Sequence, residues 1–330
     1  MPHIKTPYAA VHRADRRRLD DVNNACRLNG VVLIDGGRHA SRHIEHHAVL
    51  DQPFSAARLR RSASFRRLTG VSVATFDAML GRLRGPWDQA QADKRKSGRP
   101  WETGGLEDHL LIMLIYYRCY VTQEFIGFFY RVDKSAICRA IKRIETLAKP
   151  LFGVKREPRL SREETEAVML DCTEQPIQRP GDDASQREHY SGKKKRHTLK
   201  TEYIVTEQGR IAGVSDSHPG SRHDLSIRRA GPPLPAEVRG YADSGYQGYD
   251  KEHPNLDIPY KKPKGGKLTE EEKAYNRGLS SFRVAVEHRI GRTKRFRIVA
   301  ERFRNPLRTH HTKTSIVAGL VNIEAGFWPL

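Results

Sequence analysis

EAVMLDCTEQPI, residues 166–177, decides how the second half of the chain is read. Its apolar run Val168-Met169-Leu170 ends on a carboxylate, Asp171, and reads as a buried strand with an acid at its edge. Outward from it the texture is α/β. HTLKTEYIVTEQGRIAGVSDS (197–217) alternates around a Gly-containing turn at 207–210 and predicts a hairpin. HDLSIRRA (223–230) predicts a short helix. EVRGYADSGYQG (237–248) predicts a strand ending at Asp243 with a glycine-rich turn behind it. IPYKKPKGGK (258–267) reads as a short strand and a basic loop. Thr269-Glu270-Glu271-Glu272 forms a capping-box pattern that opens a long helix running to about Phe296. The sum is a mixed α/β sheet with acids at the ends of two strands and no internal repeat.

Upstream the chain is helical. FRRLTGVSVATFDAMLGRL (65–83) predicts a helical pair with Ser72 as an N-cap, and KRKSGRPWETGG (94–105) a loop. LEDHLLIMLIYYRCY, TQEFIGFFY and DKSAICRAIKRIETLA then predict three consecutive helices between 106 and 148. Asp133 can cap the third, whose Ile137, Ile141, Ile144 and Ala148 form an apolar stripe at helical spacing. Lys134, Ser135, Arg139, Lys142 and Arg143 lie off that stripe. Read alone, the segment fits a helix-turn-helix or a plain bundle with a solvated basic face equally well.

Composition favours the first. The 330 residues carry 59 Lys and Arg against 39 Asp and Glu, a net charge of +20, which concentrates polyanions around the protein. Nucleic acid is the leading partner and an anionic membrane the second. The longest apolar run, LLIMLIYY at 110–117, is far short of the ~20 residues a bilayer span needs. The first residues lack the apolar stretch of a secretory signal. Cys26, Cys119, Cys138 and Cys172 are scattered, as expected of thiols in a reducing compartment. His39, His43, His46 and His47 could share a helical face, but nothing around them supports a metal site over a solvated linker. The expected division is an extension at 1–60, a helical DNA-binding domain at 61–155 and an α/β domain at 156–330.

A basic protein with acids at strand ends suggests chemistry on phosphodiesters. Two Mg²⁺ ions ~3.5–4 Å apart can activate an attacking oxygen and stabilise a leaving one, and such hard cations want carboxylates on rigid elements. Asp171, Asp243 and Glu287, the last a lone acid in the basic helix stretch RVAVEHRIGRTKRF (283–296), suit that need. Each taken singly reads as a turn, a strand end or, for Glu287, an ion pair with Arg283. Only the trio in this order raises the odds. Asp224 is the rival for the second position and ranks lower because a helix N-cap role would suffice for it. Asp182, Asp183 and Asp216 fall in predicted turns.

LDCTEQPIQRP, HYSGKKKRHTLKTEYIV, SHPGSRHDLSI, YADSGYQGYDKEHP, PYKKPKGGKLTEEEKAYNRGLS and FRVAVEHRIGRTKRFRI resemble, in order, the blocks of Harbinger-like bacterial insertion-sequence transposases of the DDE superfamily. The resemblance covers roughly residues 65–328 and implies a ribonuclease-H-like core preceded by an all-α helix-turn-helix domain. It places the family's acids on Asp171, Asp243 and Glu287, with Mg²⁺, or Mn²⁺ in its stead, as two ions per site. It also aligns Arg283, Glu287 and Lys294 with a helical Tyr, Arg, Glu, Lys signature in which Ser280 replaces the tyrosine.

The implied reaction cuts at the element's ends and joins the freed 3′-hydroxyls to target DNA. Double-stranded DNA is the partner, bound by a homodimer or higher oligomer in the bacterial cytoplasm, at the nucleoid. Arg283, Lys294, Lys193, Lys194, Lys195, Arg196, Lys261 and Lys262 would meet phosphates, and the outward residues of the third helix would meet DNA. The competing readings are a transposase-derived DNA-binding protein without catalysis and a stand-alone metal-dependent endonuclease of the same fold.

Overall fold

The computed structural model describes residues 54–92, 103–165 and 167–328, with the backbone alone for Thr165, Ser281, Phe282, Arg283 and Ala285. The histidine group at 39–47 and Cys26 lie outside the described residues. Among the described residues no helix is long and apolar enough to cross a membrane.

The helical half begins with α1 (Ala56–Leu59), α2 (Phe65–Thr69) and α3 (Val73–Ala92). Gly70, at φ 82°, ends α2, and the Ser72 hydroxyl accepts from the Thr75 amide at 3.1 Å to start α3. The three helices expected next are α4 (Leu106–Cys119), α5 (Gln123–Tyr130) and α6 (Lys134–Phe152). Asp133 caps α6 through the amides of Ser135 and Ala136, and Ile137, Ile141, Ile144 and Ala148 are all buried.

From residue 168 the chain builds one seven-stranded mixed sheet from β1 (Val168–Pro176), β2 (Tyr190–Ser191), β3 (Arg196–Thr206), β4 (Ile211–Val214), β5 (His218–Pro219), β6 (Gly240–Ala242) and β7 (Leu256–Asp257). The order is β2-β3-β1-β6-β7, with β4 and β5 also on β3. β1 runs antiparallel to β3 and parallel to β6, and β6 is parallel to β7. The hairpin β3–β4 turns at Gly209, whose φ of 85° suits glycine. This is the mixed sheet with flanking helices that the sequence implies.

Around the sheet lie α7 (Asp183–His189), α8 (Asp224–Ala230), α9 (Glu270–Thr293), α10 (Arg297–Ala300) and α11 (His310–Glu324). The capping box at Thr269 and Glu272 forms as expected, and α9 ends at Thr293, three residues before the expected Phe296. Two readings are corrected. Asp182 and Asp183 do not sit in a turn: Asp182 caps α7 by accepting from the Ser185 amide. The strand expected at 258–260 lies earlier, at β7, because Pro259 has no amide with which to continue the ladder.

One apolar core runs through both halves. Residues of α3 to α6 share it with Met169, Tyr203 and Val205 on one sheet face and with almost the whole of α11. A Cβ on Gly319 of α11 would run into the carbonyl of Phe152 at the end of α6, so glycine permits the crossing. Beside it Lys313 of α11 pairs with Glu145 of α6 at 2.9 Å, both nearly buried, and the Tyr117 hydroxyl donates to Glu145. The opposite sheet face carries a second core of Val168, Leu170, Ile204, Ala242, Tyr246 and their neighbours.

His310 pins α11 to the sheet. The side-chain amide of Gln175 donates to the carbonyls of Ile298 and Glu301, so its oxygen accepts from Nε2 of His310 at 2.7 Å. Nδ1 is left to accept from the Ser217 hydroxyl, which makes the ring neutral. Burial holds its pKa down at about 3, against 6.5 when free. A depressed histidine pKa means the unfolded chain binds the extra proton, so this stability is intact above the free value and is lost as pH falls from 6.5 towards 3. By pH 5 the loss from His310 alone is about 2 kcal/mol. The melting temperature should fall between pH 7 and 5 in the parent and less steeply in His310→Gln. Equal slopes in the two proteins would remove His310 from the account.

Candidate active site

β1 is the central strand, and its alternation sorts its residues between the two cores. Val168 and Leu170 enter one; Met169 enters the other, which also receives Val286 and Ile290 of α9. Asp171 continues the face of Met169 and lies in register with Tyr203 of β3, whose side chain is buried in that same core. On the other side Leu170 pairs in parallel register with Ala242, the last residue of β6. Asp171 and Asp243 are the residues that directly follow this last paired step. Tyr241, two residues before Asp243, packs on the face that holds Met169. The two aspartates thus stand on adjacent chain segments where β6 stops.

Asp243 is fixed by its own turn, accepting from the Gly245 amide at 2.8 Å to open a 3-10 turn at Ser244–Tyr246. Asp224 sits close by. A Cβ on Gly245 would come within 2.6 Å of an Asp224 oxygen and 2.8 Å of an Asp243 oxygen, so both carboxylates flank a glycine that must stay small. The N-cap role expected of Asp224 is not what the structure shows. The cap position is His223, without a side-chain bond, and Asp224 is the first helical residue. Its carboxylate accepts from Lys200 at 2.9 Å, and Lys200 stands 3.8 Å from Glu174. Asp224 is therefore an acid whose charge is already countered.

Glu287 lies on α9 as an exposed residue, between Val286 and Ile290, which are buried against the strands. Among the described residues no three His, Cys, Asp or Glu side chains stand close enough together to hold an ion. The side chain of Arg283, and with it the expected ion pair to Glu287, lies outside the described residues. Ser280 is exposed and donates to the Asn276 carbonyl. Lys294 is exposed at the C-terminal cap of α9.

Beneath the acids is a buried polar cluster that sequence reasoning missed. Glu202 of β3, in register with Cys172, accepts from Arg228 at 2.7 Å, and both are almost fully buried. The Tyr246 hydroxyl stands 3.3 Å from the Cys172 sulfur. Burial raises the Glu202 carboxyl pKa while Arg228 opposes the shift; burial and the Glu202 charge push the Cys172 thiol well up. Each member is chained to an acid: Cys172 follows Asp171, Arg228 lies one helical turn after Asp224, and Tyr246 closes the turn that Asp243 opens. The sequence signal was a lone acid, Glu202, directly before the apolar Tyr203-Ile204-Val205.

Basic residues surround this edge. Lys193, Lys194, Lys195 and Arg196 are exposed at the turn entering β3, beyond the Pro176 end of β1. Lys261 and Lys262 are exposed after β7, which runs parallel to β6 and stops level with it. On α6, Lys134, Ser135, Arg139 and Lys142 face outward. Arg143 does so less: it is half-buried, with Nη1 3.5 Å from Nε2 of His109.

Comparison with known proteins agrees with this architecture segment by segment. Residues 170–322 match a DDE superfamily endonuclease domain, which begins one residue before Asp171. Residues 105–152 match the helix-turn-helix of DDE superfamily endonucleases and coincide with α4 to α6. The probable transposase for insertion sequence element IS702 of Microchaete diplosiphon is 34% identical over 267 residues, covering 79% of this chain and 94% of the relative. The putative transposase for insertion sequence element IS112 of Streptomyces albus G is 24% identical over 237 residues, covering 71% of this chain and 84% of the relative. The chain, 34% identical to a transposase of which it covers 94%, thus belongs to the insertion-sequence transposases of the DDE endonuclease superfamily.

Proposed function

We propose that the protein cuts DNA at the ends of its insertion sequence and joins the freed 3′-hydroxyls to target DNA, using Asp171, Asp243 and Glu287. The observation that supports this reading is that Asp171 and Asp243 directly follow the parallel pair Leu170–Ala242 on neighbouring strands. Their oxygens suit a hard cation such as Mg²⁺, and the exposed Glu287 is the third donor, from α9. When bound, two such ions supply an activated hydroxyl nucleophile and charge stabilisation at the leaving oxygen. The chain's own part is to fix the Asp243 carboxylate through the Gly245 turn and to keep Asp224 out of the set by pairing it with Lys200.

Lys193, Lys194, Lys195, Arg196, Lys261, Lys262, Arg283 and Lys294 hold backbone phosphates around the acids. Lys134, Ser135, Arg139, Lys142 and Arg143 on α6 present the DNA-reading surface, in domain 61–155, to double-stranded DNA. A dimer, or a larger assembly, brings two element ends together, and the work takes place on nucleoid DNA in the bacterial cytoplasm.

Purified protein with Mg²⁺ should nick DNA carrying the element's ends and join them to a second duplex, with both products lost when a chelator is added. Cleavage that persists in excess chelator would sink the metal assignment. Nicking without joined product would leave an endonuclease only.

A further inference from the structure

We infer that Tyr260, supported by Tyr275, is a stacking platform for one unpaired nucleobase beside the acid pair. Tyr260 is 52% exposed, yet it is held as firmly as a core residue. Asn276 of α9 accepts from its amide at 2.9 Å and donates to its carbonyl at 3.1 Å, as a neighbouring strand would. One residue earlier, the Gln247 side chain donates to the Pro259 carbonyl at 3.0 Å, tying the segment to the turn behind Asp243.

The ring stands on Tyr275, with centroids 5.2 Å apart and planes at 61°. Tyr275 is itself locked, its hydroxyl donating at 2.7 Å to Asp257, which also receives Arg239. A tyrosine that only filled space would be buried, and one that only met water would need no clamp. An exposed aromatic face on a fixed support is what a stacked partner requires.

Location and charge name the partner. Tyr241 is paired with Asp257, the last residue of β7, and the Gln247–Pro259 bond holds the residue before Tyr260 against the turn that Asp243 opens. Directly after it come the exposed Lys261, Lys262, Lys264 and Lys267. Lysines hold phosphates and an aromatic face holds a base; together they suit a single strand. In intact duplex the base faces are covered by their neighbours, so the occupant is a base unstacked next to the reacting phosphodiester. The placement rests on the reading of Asp171 and Asp243 as the reaction edge, while the test below needs no cleavage.

The full chain, in chelator, is titrated with a blunt duplex and with the same duplex bearing a single-stranded 3′ extension. The first unpaired position of the extension carries 2-aminopurine, whose fluorescence is quenched by stacking. The extended probe should be quenched on binding. Tyr260→Ala should lose the quench and about tenfold or more in affinity for the extended probe, with the blunt duplex unaffected. Tyr260→Phe, which keeps the face, should behave as the parent. Equal losses on both probes would make Tyr260 a structural residue, and an unaltered quench in Tyr260→Ala would overturn the platform. If the quench behaves as expected but Mg²⁺-dependent cleavage fails, the catalytic reading falls and the platform stands.

Discussion

Asp171→Asn and Asp243→Asn should each lower DNA cleavage by about a thousandfold or more, and Asp243→Asn should leave the protein at least as stable as the parent. The loss follows from the several kcal/mol of charge stabilisation that a bound cation gives the reacting phosphate, which an amide cannot anchor. The stability follows from like charge. Asp224 and Asp243 flank the same glycine, Gly245, and Lys200 bonds Asp224 at 2.9 Å. Removing one negative charge relieves repulsion, and an asparagine at 243 can still accept from the Gly245 amide. Activity and stability should therefore move in opposite directions, as expected where acids are kept for chemistry. Asp224→Asn is the control and should retain cleavage. An active Asp243→Asn beside an inactive Asp224→Asn would mean the second acid had been misassigned.

Arg228→Met should destabilise the fold by about 3–5 kcal/mol, because it leaves the buried Glu202 carboxylate without its counter-charge. Adding Glu202→Leu should recover most of that loss, since a buried ion pair and an apolar pair of similar volume differ little. Urea unfolding of the two single variants and the double gives the cycle. A double variant no more stable than Arg228→Met would show that packing, not charge, sets the cost.

The sign with pH is also fixed. Burial already raises the Glu202 pKa above 4.5, and losing Arg228 raises it further. The penalty in Arg228→Met is therefore absent when Glu202 is protonated in both states and grows as pH rises above 4.5. Cleavage should fall along with stability, because the segments bearing Asp171 and Asp243 are rooted in this cluster.

Local patterns made much of this protein legible. The apolar run into Asp171, the Gly-containing turn of the β3–β4 hairpin, the Asp133 cap and the Thr269 capping box are each written within a few neighbouring residues, and each forms as expected. Asp243 was legible as the end of β6 because a turn marks it, but Asp171 is the fourth residue of β1, which runs on to Pro176 in register with β3, so the apolar run marked only the strand's start. What escaped is tertiary. α11 is buried on nearly every side, so it lacks the one-sided stripe by which a surface helix is recognised. α7 hides in a wholly polar stretch with no buried residue to mark it. The partner of Asp224 comes from β3 and that of Glu202 from α8, pairings that no spacing in the sequence announces.

The core that α11 shares with α3 to α6 bears on how such a protein changes the DNA it recognises. A helix-turn-helix grafted from a relative would have to fit the Gly319 crossing and offer a carboxylate to Lys313, or leave a buried ammonium alone. Exchange of whole recognition modules is therefore costly in this architecture. New specificity is more readily reached by substitutions at the exposed Lys134, Ser135, Arg139 and Lys142 of α6, which leave the shared interior intact.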